Sequence, residues 1–113
     1  MKLLVVILNK EELLDDLIQA FLEVDVRGAT VLDSVGMGRI LSHDIPIFAG
    51  LKGLLSGNRP HNKTLLTVVE DAQVASVVQV FEEVVGPVSQ PGHGLVIALP
   101  VVEIYGMGLR GPV

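Results

Sequence analysis

Three histidines and the carboxylates near them are the side chains best suited to chemistry in this sequence. His43, His61 and His93, with Asp44 beside the first, are imidazole and carboxylate ligands of the kind that suit zinc, copper or nickel. Their spacings match no local ligand motif, so no metal site is predicted, and His43-Asp44 is the best pair among them. Glu103 and Tyr105 offer acid and base groups, but nothing in the sequence sets them opposite a nucleophile. Glu11, Glu12, Asp15 and Asp16 cluster where a helix begins, and carboxylates there favour the positive end of the helix dipole. There is no phosphate-cradling Gly-rich loop with its lysine, no triad order and no catalytic carboxylate spacing. With no cysteine, thiol catalysis, thiolate zinc sites and disulfides are excluded. The expectation is a protein that is not an enzyme, with no catalytic residues.

The chain around these residues has 113 positions, enough for a single domain over 1–113. Half of it is hydrophobic, which rules out a disordered chain. Thirteen acidic against eight basic residues give a net charge of −5, which argues against a nucleic-acid partner. No membrane span is expected. The first apolar run, Leu3 to Leu8, is six residues long, whereas a spanning helix needs roughly 20. The uncharged stretch from Val84 to Val102 is broken by Gly86, Pro87, Pro91, Gly92, Gly94 and Pro100. A soluble cytoplasmic chain is expected.

Lys2 to Leu8 has the composition of a buried strand. Asn9 with Glu12 has the spacing of a capping box, and Leu13, Leu14, Leu17, Ile18, Phe21 and Leu22 recur at helical spacing up to about Val24. Ala29 to Val35 reads as a second strand. The pattern then repeats: strand Lys63 to Val69, a helix opened by Glu70 and Asp71 and closed by Gly86, and a last strand Leu95 to Val102. Lys2 and Lys63 are 61 residues apart, Phe21 and Phe81 are 60 apart, so the chain is two βαβ halves. The predicted fold class is α+β, a ferredoxin-like βαββαβ sandwich with a four-stranded antiparallel sheet and both helices on one face. The glycines around Arg110 predict a flexible end.

The helices cover one sheet face, yet the first strand is apolar on both: Leu3, Val5 and Ile7 on one side, Leu4, Val6 and Leu8 on the other. An uncovered apolar face of that size marks an interface, so an obligate homo-oligomer is predicted. Between the halves, 40–62 is long for a connection and oddly apolar, with Ile47, Phe48, Leu51, Leu54 and Leu55 at spacing consistent with a short amphipathic helix. It either packs on its own assembly or docks a partner protein.

Several of these features together resemble the PII-type nitrogen regulatory proteins. They are the element order, the Leu13-Leu14-Asp15-Asp16-Leu17 helix start, Gly28-Ala29-Thr30-Val31, Gly36-Met37-Gly38-Arg39 before a long loop, and Gly92-His93-Gly94 before the last strand. The resemblance runs from Lys2 to about Gly108. It implies a homotrimer with adenine-nucleotide clefts between subunits, signalling through the 40–62 segment as a T-loop that contacts a partner protein. Thr30, Gly36, Met37, Gly38 and Arg39 fall where that family lines one side of the cleft, Val68 falls near the adenine, and Gly92 and Gly94 fall on the neighbouring subunit's phosphate-facing loop. Arg39 is then the cation that would hold a phosphate, its alternative being a solvated arginine at a strand end. Leu95, Gly106, Gly108 and Ile40 stand where the family has a lysine, two arginines and a glutamine. AMP, ADP, ATP and cyclic nucleotides are all open as ligands, with the departures favouring a less charged one. Two alternatives stand beside this: a small ferredoxin-like enzyme of the monooxygenase-type dimer, and a CutA-like metal-binding trimer.

Overall fold

This computed structural model describes residues 1–37 and 61–113. Their elements in chain order are β1 (Lys2–Leu8), α1 (Leu14–Glu23), β2 (Thr30–Val35), β3 (His61–Val69), α2 (Val74–Val84), β4 (Gly94–Pro100), β5 (Glu103–Gly106) and β6 (Leu109–Pro112). The loop expected over 40–62 lies outside the described residues, except His61 and Asn62, which open β3 two residues earlier than expected.

The first six elements form the ferredoxin-like sandwich. The sheet runs β2-β3-β1-β4 with every neighbour antiparallel. Strict alternation along β1 sends Leu4, Val6 and Leu8 into the core, where they meet Leu65 and Val69 of β3, Leu17 and Phe21 of α1, and Val77, Val80 and Phe81 of α2. Phe21 and Phe81, at matching places in the two halves, are both almost fully buried.

The opposite face carries the other half of each alternation. Leu32, Thr64, Ile7 and Leu95 form one cross-strand row, and Thr30, Leu66, Val5 and Ile97 form the next. Val68, Leu3 and Leu99 form a third. Leu95, Ile97 and Leu99 are 43%, 41% and 45% exposed, so no element among the described residues covers this face along β4.

Helix entry differs from expectation. Asn9 does not cap α1; a 3-10 turn, Glu11–Leu13, leads in instead, with Leu13 N–H donating to the Lys10 carbonyl at 3.0 Å. Asn9 is drawn away because its amide donates to the Gly92 carbonyl, 3.2 Å, across the fold. The reciprocal cap appears at the second helix, where Glu70 N–H donates to Gln73 Oε1 at 2.8 Å and the Glu70 side chain accepts from Gln73 N–H. Gln73 also donates to the carbonyls of Val24 and Asp25, at 3.4 and 3.3 Å, groups that the end of α1 leaves without helical partners. One side chain thus closes one helix and opens the other.

The end of the chain is ordered by pairing. β5 and β6 form a hairpin of their own, Glu103 opposite Pro112 and Gly106 opposite Leu109. β4 stops at Pro100, opposite Lys2, where β1 begins. Val101 N–H then donates to the Met1 carbonyl at 3.2 Å, and Val113 N–H to the Val102 carbonyl at 3.2 Å.

Gln73→Ala removes both sets of contacts and is expected to lower unfolding free energy by about 1–2 kcal/mol, read by denaturant titration. A second expectation concerns acid. The N-terminal ammonium and Lys2 Nζ, 3.0 and 3.1 Å from Asp71, hold its carboxyl below the usual aspartate range, the N-terminal hydrogen bond contributing most. A lowered folded pKa stabilises the fold above the unfolded value of about 4, and the contribution disappears as pH falls through the folded value. Unfolding midpoints followed from about pH 6 down to about pH 2 should fall less steeply in Asp71→Asn than in the parent.

Candidate ligand-binding site

β2 is shorter than the strand it pairs with. Its ladder to β3 runs from Thr30 opposite Leu66 to Val35 opposite His61, so Thr67 and Val68 continue past its end. The notch is a cavity of about 430 Å³, within the size range of small-molecule sites. Leu3, Leu66 and Val68 supply its apolar floor, and Gly28, Ala29 and Thr30 its rim. Thr67 fixes that rim by donating from Oγ1 to the Gly28 carbonyl at 2.6 Å. Gly28 faces open space, with nothing within 4 Å of where a Cβ would stand. Among the described residues that line it, none has an ionisable side chain.

The last wall comes from the C-terminal hairpin. Met107 and Gly108 form its two-residue turn and bring Met107 to the cavity. Both have left-handed backbone, φ 57° and 75°, as a type I′ turn requires. Glycine adopts this freely, whereas methionine does so at a cost of roughly 1–2 kcal/mol.

Of the residues expected at a site, Thr30 and Val68 meet in this cavity. Gly36 and Met37 follow the other end of β2, about 20 Å along the strand from Thr30. Gly38 and Arg39 lie outside the described residues. Gly92 lies just before β4 and Gly94 opens it, at the same end of the sheet as Gly36 but on its opposite edge, with β3 and β1 between. Three strand spacings, roughly 14 Å, separate the two edges. One chain therefore brings Thr30 to Val68 but does not bring Gly36 to Gly92 and Gly94.

Gly94 has a packing reason of its own. Its φ is +132°, and a Cβ there would stand 1.9 Å from the Ile7 carbonyl oxygen. His93 is held nearby, with Nδ1 3.1 Å from the Pro87 carbonyl oxygen and its ring over Gly86.

A polar network crosses this end of the apolar face. Ser34 Oγ donates to the Asn62 side chain and lies 2.8 Å from Thr64 Oγ1. Asn62 Nδ2 donates to Asn9 Oδ1 at 3.4 Å, and Asn9 Nδ2 to the Gly92 carbonyl. Sequence reasoning missed Asn62, though an asparagine leading into an aliphatic strand is a signal, and it missed Met107, though Gly-Met-Gly between two short alternating runs signals a hairpin. Across the β2–β3 ladder Lys63 pairs with Asp33 of the edge strand and holds that carboxyl below its usual range. Among the described residues no three His, Asp or Glu side chains come together as a metal site. No helix among them is long and apolar enough to cross a membrane.

The family model for nitrogen regulatory protein P-II matches residues 1–108. The chain belongs to the P-II family. No curated protein matches it. P-II membership supports a signalling role in nitrogen regulation. The match ends at Gly108, inside the hairpin turn, so β6 lies beyond the matched residues of this P-II chain.

Gly94→Ala should disrupt the β1–β4 pairing of the P-II fold, with a loss on the order of 3 kcal/mol or more in unfolding free energy, since both the left-handed φ and the Ile7 carbonyl oppose a Cβ. An unchanged denaturation midpoint would show that the loop tolerates the side chain.

Proposed function

We propose that this P-II chain is a non-catalytic cytoplasmic signalling protein that assembles as a homotrimer and binds an adenine nucleotide between subunits. The 40–62 segment is the partner-contacting T-loop in this reading, and ligand binding shifts its conformations and hence partner affinity. One observation carries the proposal: expected ligand residues occupy opposite edges of one sheet, so a complete cleft needs a second chain. Thr30 and Val68 stand at one end of β2 and Gly36 and Met37 follow the other, about 20 Å away, so in this reading the two sets meet one ligand from different subunits. The uncovered rows of Leu95, Ile97 and Leu99 supply the apolar surface that assembly would bury.

The ligand is a weakly charged one, AMP or a cyclic nucleotide in preference to ATP with magnesium. Leu95, Gly106, Gly108 and Ile40 offer no charge to a triphosphate, and the described residues that line the cavity around Thr30 and Val68 include no ionisable group. Arg39 is left as the phosphate contact. Glycine at 92 allows backbone to approach phosphate closely, φ there being +93°.

Light scattering should give a trimer, and calorimetric titration with AMP, cyclic AMP, ADP and ATP should show at least one nucleotide binding. Arg39→Ala should then weaken it by about tenfold or more, the value of one charge-assisted contact. A stable monomer sinks the assembly, and no heat with any of the four nucleotides sinks the sensor mechanism.

A further inference from the structure

We propose that Met107 is a ligand-contacting residue, carried over the cavity by the C-terminal hairpin so that its thioether lies against the ring of the bound nucleotide. This rests on reading the cavity as an adenine-nucleotide site, and it adds a contact from the turn where the family match ends.

Three observations converge on it. Met107 lines the cavity with Leu3, Leu66 and Val68, and these supply hydrocarbon and a polarisable sulfur with no charge among them. That chemistry suits a flat, uncharged heteroaromatic ring, and thioethers make favourable contacts with aromatic rings. Next, turn chemistry does not explain a methionine here. The φ of 57° at this position favours glycine, asparagine or aspartate, which would form the same type I′ turn with less strain. Finally, the Met107 side chain is 73% exposed in the single chain, so its apolar atoms have little protein cover while they stand at the cavity. A strained backbone that holds a poorly covered apolar side chain at a cavity is accounted for by a ligand that covers it.

Met107→Gly separates contact from structure, because glycine keeps the turn and relieves its strain while removing the side chain. The probe is AMP, titrated into the full chain by calorimetry, with the three methionine methyls labelled with carbon-13 for NMR. The proposal expects the Met107 methyl to move upfield through the ring current of the base, with Met1 unmoved. It expects Met107→Gly to weaken AMP about threefold to tenfold with an equal or higher melting temperature. Met107→Leu should stay within about threefold of the parent. Equal AMP affinity in the parent and Met107→Gly with an unmoved methyl overturns the contact and leaves the nucleotide site standing. A fall in melting temperature in Met107→Gly that accompanies weaker binding overturns it in favour of a structural role. If the parent chain binds none of AMP, cyclic AMP, ADP and ATP, the cavity reading fails and this proposal fails with it.

Discussion

A central strand that is apolar on both sides must be sheltered on both sides, and β1 sets that condition for the whole molecule. It pairs with β3 and β4 over its full length, so it cannot escape to an edge. One face is met inside the chain. Leu4, Val6 and Leu8 draw α1 and α2 onto the same side, and the repeat in sequence places Phe21 and Phe81 to fill matching spaces. Among the described residues no helix packs on its other face. Leu3, Val5 and Ile7 join the rows of Leu95, Ile97 and Leu99, an apolar surface that burial against another apolar surface would stabilise. The sharing of a ligand site between chains and the covering of this face would be met by one assembly.

Glycine placement shows two demands acting on one loop. A Gly-X-Gly turn facing a phosphate would be chosen for its bare backbone. Gly94 is also compelled by the Ile7 carbonyl, since any side chain there meets backbone that belongs to a sheet ladder. Gly86 is likewise constrained by the His93 ring packed on it. Part of the glycine pattern behind the family resemblance is therefore required by packing alone. Gly92 also has left-handed backbone, φ +93°, a conformation that favours glycine.

Where alternation was strong, sequence and structure agree. The strand and helix order, the helix end near Val24 and the sharing of faces along β1 were all legible, because periods of 2 and 3.6 write burial directly into residue order. Asn9 was misread as a cap because local rules cannot see the Gly92 carbonyl that claims its amide from 83 positions away. The hairpin was misread as a flexible end because Gly106, Gly108, Gly111 and Pro112 suggest disorder by composition, whereas Gly108 behind a tight turn and Ile104 and Leu109 on one face specify pairing. At the site, Thr30 and Val68 were legible only through resemblance. Gly106-Met107-Gly108 signalled the turn, but the place of Met107 at the cavity was not legible, since it depends on where β2 stops short of β3.

The two ends of the sheet obey opposite electrostatics, and this constrains what each can do. In the cavity, the described lining of hydrocarbon and two threonines offers a ligand shape and dispersion without a charged side chain. At the other end, donors run in one direction from Ser34 to Asn62, from Asn62 to Asn9, and from Asn9 to the Gly92 carbonyl. Asn62 is buried, so withdrawing any neighbour leaves a polar group without water to replace it, which costs about 1–3 kcal/mol. That penalty keeps the members of the network together. Ser34 and Asn62 stand just before and just after the segment 38–60, on strands paired at that position. The borders of that segment are thus held to the loop before β4 by side-chain bonds in addition to the ladder. A displacement of Ser34 relative to Asn62 must either carry Asn9 and Gly92 with it or break a bond in a buried place. The polar end of the sheet therefore responds as a unit, while at the other end Met107 stands on a hairpin joined to the sheet through Val101 and Val102.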